Sequence, residues 1–140
     1  MILKIKKLNP KAIIPKRGHK GDAGMDFHSL EEHTIEPGKR KMFGTGIAME
    51  VPEGYAILVW EKSGLASKHG IKTMAGVGDC HYRGEYKVIL LNTSNKAYTV
   101  KKGDKIAQFL VQRVEYPKIQ EVSELSKTSR GESGFGSTGK

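Results

Sequence analysis

The amino-acid sequence predicts a small all-β sandwich or barrel with at most one short helix. Its 17 glycines cluster where the chain turns, which favours short strands with tight connections over long helices. Short apolar runs alternate with polar turn residues along most of the chain. With 140 residues, of which 37% are hydrophobic, the chain matches one domain that buries a core without disulfides.

The first half of the chain predicts a series of strands. Apolar and basic residues alternate over residues 2–8, which predicts an opening strand. A glycine-rich polar loop at 16–24 precedes a short strand at 25–30. After a turn at 36–40, residues 44–62 contain two β-rich runs that a Pro-Glu-Gly turn separates.

The middle of the chain predicts the single helix and a hairpin. The helix is SGLASKHG, in which Ser63 can cap the start and Gly70 ends it. Residues 71–78 and 86–93 are two β-rich runs, and the polar loop DCHYRGE at 79–85 separates them. This arrangement predicts a β-hairpin.

The last third predicts another strand pair and then a tail. Residues 97–100 and 105–114 form the pair around a Lys-Lys-Gly-Asp turn, and 118–122 is a candidate last strand. No internal repeat or linker divides the chain. The sequence therefore predicts a β domain at 1–122 and a flexible C-terminal arm at 123–140.

The charge of the chain narrows the class of partner. A formal charge of +9 suggests an anionic partner, either nucleic acid or a phosphate-bearing small molecule, although a basic surface without a partner is the alternative. The basic residues are spread, so no nucleic-acid-binding tail is indicated. Cys80 is the only cysteine, and no apolar run approaches membrane-spanning length or the core of a signal peptide. These features predict a cytoplasmic protein, or one of the host cytoplasm or nucleus if its source is viral.

The glycine-rich string GFGSTGK at 134–140 leaves two alternatives open. It fits the spacing of a phosphate-binding P-loop, but no βαβ pattern precedes it, so that interpretation fails. Arg130, Phe135, Ser137 and Thr138 together could grip phosphate oxygens and cover a ring, as a lid does over a nucleotide. The alternative is a polar tail without a binding role.

The loop DCHYRGE contains the candidate catalytic group. Asp79 could activate a water molecule as a general base, or it could simply stabilise the turn through its side chain. Tyr82 could pack on a sugar face, or it could be an ordinary strand residue. The residue types alone do not decide between these roles.

Other polar residues indicate an anion or metal site. Asp26 could hold Mg²⁺ through water or be a surface carboxylate, and Lys62 with Ser63 could bind an anion or cap the helix. Gln108 stands among apolar strand residues, where its amide must find a partner. The histidines have no metal-ligand spacing: His19, His28, His33, His69 and His81.

The order of these segments is more specific than any one of them. Five segments, in order and across essentially the whole chain, resemble the motifs of the trimeric dUTPase family: AGMDFHS (23–29), EKSGLAS (61–67), AGVGDCHYRGEY (75–86), GDKIAQFLV (103–111) and RGESGFGSTG (130–139). The resemblance implies a jelly-roll-like β subunit in a homotrimer with shared active sites. It also implies hydrolysis of dUTP to dUMP and pyrophosphate with Mg²⁺.

The resemblance assigns a role to each matching residue. Asp79 would deprotonate the water that attacks the α-phosphorus, and Asp26 would place the metal through its water shell. Tyr82 would pack beneath the deoxyribose and exclude a 2′-hydroxyl, while the hairpin backbone from Gly76 to Lys87 would read the uracil edge. The other implied substrate contacts are Lys62, Ser63, Gly64 and Gln108 at the phosphates, Arg130, Gly136, Ser137 and Thr138 in the closing arm, and Phe135 over the base.

The chain departs from the family pattern at a few positions. Lys62 replaces the usual arginine, so the planar fork for the triphosphate is lost. Gly78 replaces a β-branched residue, which predicts a roomier sugar pocket and weaker discrimination. Cys80 and His81 stand where small or acidic residues are usual, and we expect His81 to face solvent.

Two rival functions belong to the same superfamily or fold. A dCTP deaminase needs a glutamate on the strand after the hairpin, and Ile89 stands near that position. A non-catalytic regulatory trimer, with or without nucleic-acid contact, is the other alternative. Asp79, Tyr82 and Arg130 are all present, which favours the enzyme, and its chemistry does not require nucleic acid.

Overall fold

A computed structural model describes residues 1–134 of the protein. Within that range the chain forms strands and one short helix, which confirms the predicted fold class. The elements in chain order are β1 (Lys4–Lys7), β2 (Met25–His28), β3 (His33–Ile35), β4 (Arg40–Gly44), β5 (Ile47–Glu50), β6 (Tyr55–Trp60), α1 (Ser63–His69), β7 (Ile71–Met74), β8 (Val77–Gly78), β9 (Lys87–Asn92), β10 (Tyr98–Val100) and β11 (Lys105–Arg113). β3 and β4, which flank the turn at 36–40, are not apparent from the sequence pattern.

The strands form four antiparallel groups. The four-stranded sheet has the order β2-β11-β6-β8, and the three-stranded sheet has the order β4-β9-β7. β1 pairs with β5, and β10 pairs with β3. β11 lies inside the larger sheet, where it pairs with β2 on one side and β6 on the other.

The core lies between these sheets. Phe27 of β2 and Phe109 of β11 are neighbours with ring centroids 4.6 Å apart, and both are almost completely buried. Phe43, Ile57 and Leu90 bring buried side chains from β4, β6 and β9. Burial of each such side chain contributes about 2 kcal/mol, so this core accounts for the fold without disulfides.

The predicted hairpin around residues 79–85 forms only in part. β7 pairs with β9, from Ile71 opposite Asn92 to Met74 opposite Ile89. Ala75 then takes the left-handed conformation with φ of 65°, and the chain leaves that sheet, so that β8 pairs with β6 instead. The run 71–78 is therefore divided between two sheets.

Two other predictions about strands are wrong. β10 and β11 do not pair with each other, because the turn between them bonds to Ser29: Gly103 donates to the Ser29 carbonyl at 2.8 Å. β10 consequently joins β3. Residues 118–122 form no strand, and Ile119 is 92% exposed, so this segment buries no apolar face against the rest of the described chain.

The helix forms where it is predicted, with a different cap. Ser63 is its first residue, and Lys62 is the cap, without a side-chain hydrogen bond to the helix. Gly70 ends the helix at a φ of 63° and its amide donates to the carbonyls of Ala66 and Leu65, as a C-terminal glycine does. Among the described residues, no helix has the length and apolar character to cross a membrane.

Candidate active site

The loop between β8 and β9 is held by hydrogen bonds to its own backbone carbonyls. The Tyr82 amide donates to the Asp79 carbonyl at 3.1 Å. The Arg83 guanidinium donates to the carbonyls of Cys80 at 2.6 Å and Tyr82 at 3.0 Å. Asp79 is exposed, and its carboxylate accepts no hydrogen bond within residues 1–134. The carboxylate is therefore available to a water molecule, and it does not stabilise the turn.

Asp79 stands at a cavity of about 320 Å³, which we call the hairpin pocket. The pocket lies between the ends of β7, β8 and β9 and the loop that connects the last two. It brings together four residues that the sequence predicts as catalytic or substrate-binding: Gly76, Asp79, Tyr82 and Lys87. Most of the remaining wall is apolar and includes Met42, Val59 and Ile89.

Tyr82 presents its ring to this pocket. Its hydroxyl donates to the Glu85 carbonyl at 2.9 Å, and the side chain is 45% exposed. The ring lies over Gly84, where a Cβ would collide with the Tyr82 hydroxyl and ring. Tyr86 meets the ring edge to face, with centroids 5.4 Å apart. One face of Tyr82 is thus supported while the side chain stays accessible.

Two glycines, one just before β8 and one at its end, let the chain approach its neighbours closely. A Cβ on Gly76 would lie 2.8 Å from the Val59 carbonyl oxygen. A Cβ on Gly78 would lie 2.5 Å from Cε1 of Tyr86, whose side chain is buried. The space that Gly78 leaves is thus filled by Tyr86, and the roomier pocket predicted from the sequence is absent at this position.

A second set of polar residues lies beside β2, β11 and α1. A cavity of about 560 Å³ is lined by Asp26, Lys62, Lys105 and Gln108, among others. An adjoining cavity of about 320 Å³ shares the last three of these residues and adds Ser63 and Gly64. We call the two cavities together the lysine cleft.

Asp26 is the buried centre of the lysine cleft. Lys62 contacts one carboxylate oxygen at 2.5 Å and Lys105 contacts the other at 2.7 Å. Burial alone would raise the pKa of Asp26, but the hydrogen bonds and charges of Lys105 and Lys62 outweigh it and keep that pKa below its ordinary value. The two lysines and one carboxylate leave a net positive charge that suits an anion.

Lys105 is the residue of this cleft that the sequence does not single out. Strand alternation alone places residues 105 and 108 on opposite faces of β11. A β-bulge shifts the register between Lys105 and Ala107, and this shift brings Lys105 to the side of Gln108. The position of Lys105 within the segment GDKIAQFLV is the only sequence signal for it.

Gln108 finds the partner that its position predicts. Its Nε2 donates to the Glu61 carbonyl at 2.9 Å. The side chain fits because residue 24 is glycine, where a Cβ would lie 2.5 Å from the Gln108 Oε1. An amide nitrogen carries two hydrogens, so one remains for a ligand in the cleft.

The two sites lie on different sides of β6. Val59 lines the hairpin pocket and Trp60 lines the lysine cleft, and consecutive strand side chains point to opposite faces. Arg130 lines neither site within the described range; it is exposed, and its Nε donates to the Ser133 carbonyl at 2.9 Å. The other arm residues singled out from the sequence lie outside the described residues: Phe135, Gly136, Ser137 and Thr138.

A dUTPase family model matches residues 10–139. The deoxyuridine 5'-triphosphate nucleotidohydrolase of Nautilia profundicola is 51% identical over 142 residues, with 100% of both chains covered. That of Clostridioides difficile is 49% identical, with 98% of this chain and 97% of the relative covered. The chain belongs to the dUTPase family.

Solved dUTPases have the same fold. The dUTPase of Staphylococcus bacteriophage 80alpha with dUPNHPP is 31% identical, with a TM-score of 0.91 over 99% of this chain and 98% of that chain. The dUTPase of phage phi11 of S. aureus, in which a structural Mg(II) ion is coordinated, is 26% identical, with a TM-score of 0.84 over 91% and 100% of the two chains. The jelly-roll-like fold implied by the family resemblance is thereby confirmed.

Magnesium, which the family resemblance implies, fits the lysine cleft in hydrated form. Within residues 1–134, no group of three or more His, Cys, Asp or Glu side chains could hold a metal ion directly. Asp26 faces the larger cavity, but both of its oxygens already accept from lysines. Since Mg²⁺ retains its water and two ammonium groups repel a bare cation, the site suits an ion that arrives with phosphates.

Proposed function

We propose that the protein hydrolyses dUTP to dUMP and pyrophosphate by attack of water on the α-phosphorus, which limits uracil in DNA. The observation that carries this proposal is the exposed Asp79 carboxylate at the rim of the hairpin pocket, beside Tyr82. Membership of the dUTPase family and the similarity to a phage dUTPase with bound dUPNHPP support it.

Asp79 is the proposed general base. Its oxygens accept no hydrogen bond within residues 1–134, so they can orient a water molecule and take its proton. The Arg83 contacts to the carbonyls of Cys80 and Tyr82 fix the loop backbone that directly follows Asp79. A positioned base of this kind contributes about 10²–10⁴-fold to the rate.

The hairpin pocket is the proposed site of the base and sugar. The accessible ring of Tyr82 packs beneath the deoxyribose and leaves no room for a 2′-hydroxyl. The backbone from Gly76 to Lys87 provides N–H and C=O groups at the pocket wall to read the uracil edge. Ile89 also lines this pocket, so the position that needs a glutamate for deamination carries a hydrocarbon side chain.

The lysine cleft is the proposed site of the phosphates. Lys62 and Lys105 supply positive charge, while Ser63, Gly64 and the second N–H of Gln108 supply hydrogen-bond donors. The C-terminal arm completes this site with Arg130, Gly136, Ser137 and Thr138 at the γ-phosphate and Phe135 over the base. Because lysine lacks the bidentate fork of arginine, Lys62 holds a phosphate through a single point of charge.

Mg²⁺ is the proposed cofactor, and its charge would stabilise the negative charge that develops on the phosphate oxygens. Asp26 is the proposed contact of the chain with the water shell of the ion. The lysines orient the Asp26 carboxylate from both sides, which keeps one lone pair of each oxygen available to a metal-bound water.

We further propose a homotrimer in which each active site combines residues of several chains. The hairpin pocket and the lysine cleft lie on opposite sides of β6, so one nucleotide reaches both only if they come from different copies. Mixing Asp79→Asn chains with chains in which Lys62, Lys105 and Gln108 are all replaced by alanine should then restore about a quarter of the sites, since a cyclic trimer with both types contains one intact pair. If mixing restores nothing although mass analysis shows mixed trimers, each site is built from one chain.

We place this reaction in a reducing compartment such as the cytoplasm, because the only cysteine, Cys80, cannot form an internal disulfide. The test of the function is pyrophosphate release from dUTP, dCTP, dTTP and UTP, each with and without Mg²⁺. We expect that, of the four nucleotides, only dUTP is turned over, and only when Mg²⁺ is present. Binding of dUTP without turnover of any nucleotide would instead support the regulatory trimer.

A further inference from the structure

Gly78 and Tyr86 flank the loop that carries Asp79, and the Tyr86 ring occupies the space that a side chain at position 78 would need. A Cβ built on Gly78 would lie 2.5 Å from Cε1, 2.9 Å from the hydroxyl oxygen and 3.1 Å from Cζ of Tyr86. In proteins, a Cβ atom essentially never lies as close as 2.5 Å to a heavy atom outside its own residue and the two adjacent residues. The Tyr86 ring therefore fills the volume that any side chain at position 78 needs.

Tyr86 is fixed in this place from several directions. Its amide donates to the Ile47 carbonyl at 2.8 Å, and its own carbonyl accepts from the Thr45 hydroxyl at 2.5 Å. Its ring stacks on Phe27 at a centroid distance of 6.1 Å and meets the Tyr82 ring at 5.4 Å. The backbone of Tyr86 is thus anchored, and its buried ring packs between two other aromatic rings.

The hydroxyl of Tyr86 is buried and forms no hydrogen bond within residues 1–134. Burial raises the pKa of Tyr86 to about 12, so the group stays neutral at physiological pH. A phenylalanine would fill the same space without a buried polar atom, which offers a matched variant that separates the ring from the hydroxyl.

We propose that Tyr86 is a specificity-determining residue of the hairpin pocket. Its ring replaces the side chain that Gly78 lacks and closes the pocket wall beside Tyr82 against a 2′-hydroxyl. This inference rests on the proposed function, because it takes the deoxyribose to lie on Tyr82. An apolar wall discriminates against one added hydroxyl by about 10²-fold, and we assign a large part of that discrimination to the Tyr86 ring.

The experiment compares kcat/KM for dUTP and for UTP in five proteins: the wild type, Tyr86→Phe, Tyr86→Val, Gly78→Val and the double variant Gly78→Val/Tyr86→Val. In Tyr86→Val we expect the ratio of dUTP to UTP to fall about tenfold, since the wall opens. In Tyr86→Phe we expect the wild-type ratio and an equal or higher Tm. A changed ratio in Tyr86→Phe would show that the hydroxyl discriminates, and it would overturn the assignment to the ring.

The double variant provides the sharper test. Gly78→Val alone should lower the Tm and the rate with both nucleotides because of the collision with Tyr86. Gly78 lies in strand β8, a conformation that valine adopts readily, so the double variant should recover both the Tm and the ratio. Recovery of the Tm with a ratio as low as that of Tyr86→Val would mean that a side chain at position 78 cannot take the place of the ring, and the proposed exchange between the two positions would then be wrong.

Calorimetry with dUMP and UMP keeps this test separate from turnover. If the wild type hydrolyses neither nucleotide, the proposed function fails, yet the ratio of the two dissociation constants still reports on the pocket wall. We expect that ratio to follow the same order across the variants as the kinetic ratio. Equal ratios in wild type and Tyr86→Val would refute the role of Tyr86 whether or not the protein is an enzyme.

Discussion

The hairpin pocket and the lysine cleft position their functional groups in opposite ways. In the hairpin pocket, contacts to the backbone set the geometry. The Arg83 guanidinium binds loop carbonyls, and Gly76 and Gly78 lie close to their neighbours. In the lysine cleft the side-chain charges of Lys62, Asp26 and Lys105 hold one another. A pocket built from backbone and rings suits recognition by shape, whereas a cleft built from charges suits a phosphate chain whose charge must be matched.

The largest effect should come from the one carboxylate that stands free at the hairpin pocket. We expect Asp79→Asn to lower kcat about 10³-fold while dUMP binds with an unchanged dissociation constant, because the base is lost and the walls stay. Steady-state kinetics and calorimetry measure the two quantities. The neighbouring exposed His81 provides the control, and His81→Ala should keep kcat within about twofold. A near-normal kcat in Asp79→Asn would exclude the base role.

Removal of residues 129–140 should have the next largest effect on activity. It tests the C-terminal arm beside the hairpin pocket and the lysine cleft. We expect kcat/KM for dUTP to fall about 10²-fold, since the arm no longer aligns the phosphate chain. The Tm should stay unchanged, because residues 129–133 are exposed and outside every strand. Full activity of the shortened chain would show that the arm has no part in the site.

The lysine cleft can be weakened at Lys105 without loss of the hairpin pocket. We expect Lys105→Met to raise KM for dUTP about tenfold, because a charge-assisted contact to phosphate contributes about 1.5–3 kcal/mol. Binding of the uncharged nucleoside deoxyuridine should not change. Lys102→Met, on the exposed turn before β11, is the matched control and should retain the wild-type KM. An equal rise of KM in both variants would show that Lys105 contributes only through the general surface charge and does not contact the phosphates.

The smallest effect concerns the pH dependence of the charge network in the cleft. The pKa of Asp26 is lowered in the folded chain, so its ionisation stabilises the fold above the ordinary carboxylate pKa near 3.8 and is lost as the pH falls through the lower value. We expect Asp26→Asn to cost about 1 kcal/mol at neutral pH, because both lysines remain partly exposed. Urea denaturation should show this difference constant from pH 7 to about pH 5 and shrinking below about pH 4. A difference that grows on acidification would contradict the lowered pKa.

The sequence predicts features that depend on local chemistry. The helix after Lys62, its end at Gly70 and the need of Gln108 for a partner all follow from neighbouring residues. The order of the five motifs predicts the family, and with it the jelly-roll-like fold. The sequence does not predict that β10 pairs with β3 while β11 pairs with β2 and β6. Two strands that are joined by a short turn ordinarily pair with each other.

Features that depend on contacts distant in sequence escape prediction. The left-handed conformation of Ala75 sends β8 to another sheet, although alanine gives no local signal for it. The bulge before Ala107 moves Lys105 to the face of Gln108 and so adds a lysine to the cleft. From the sequence, Gly78 suggests a gap in the wall of the hairpin pocket. In the structure, the ring of Tyr86, eight positions later in the chain, fills that gap.

Asp26 also gives the lysines a resident anion. When no nucleotide is bound, the carboxylate already neutralises part of their charge, so a chloride or single phosphate ion meets a competitor that cannot diffuse away. A chain of several phosphates carries enough charge to recruit both ammonium groups at once. If the lysine cleft holds the phosphates as proposed, the tethered carboxylate would therefore favour binding of polyphosphates over the simple anions of the cell.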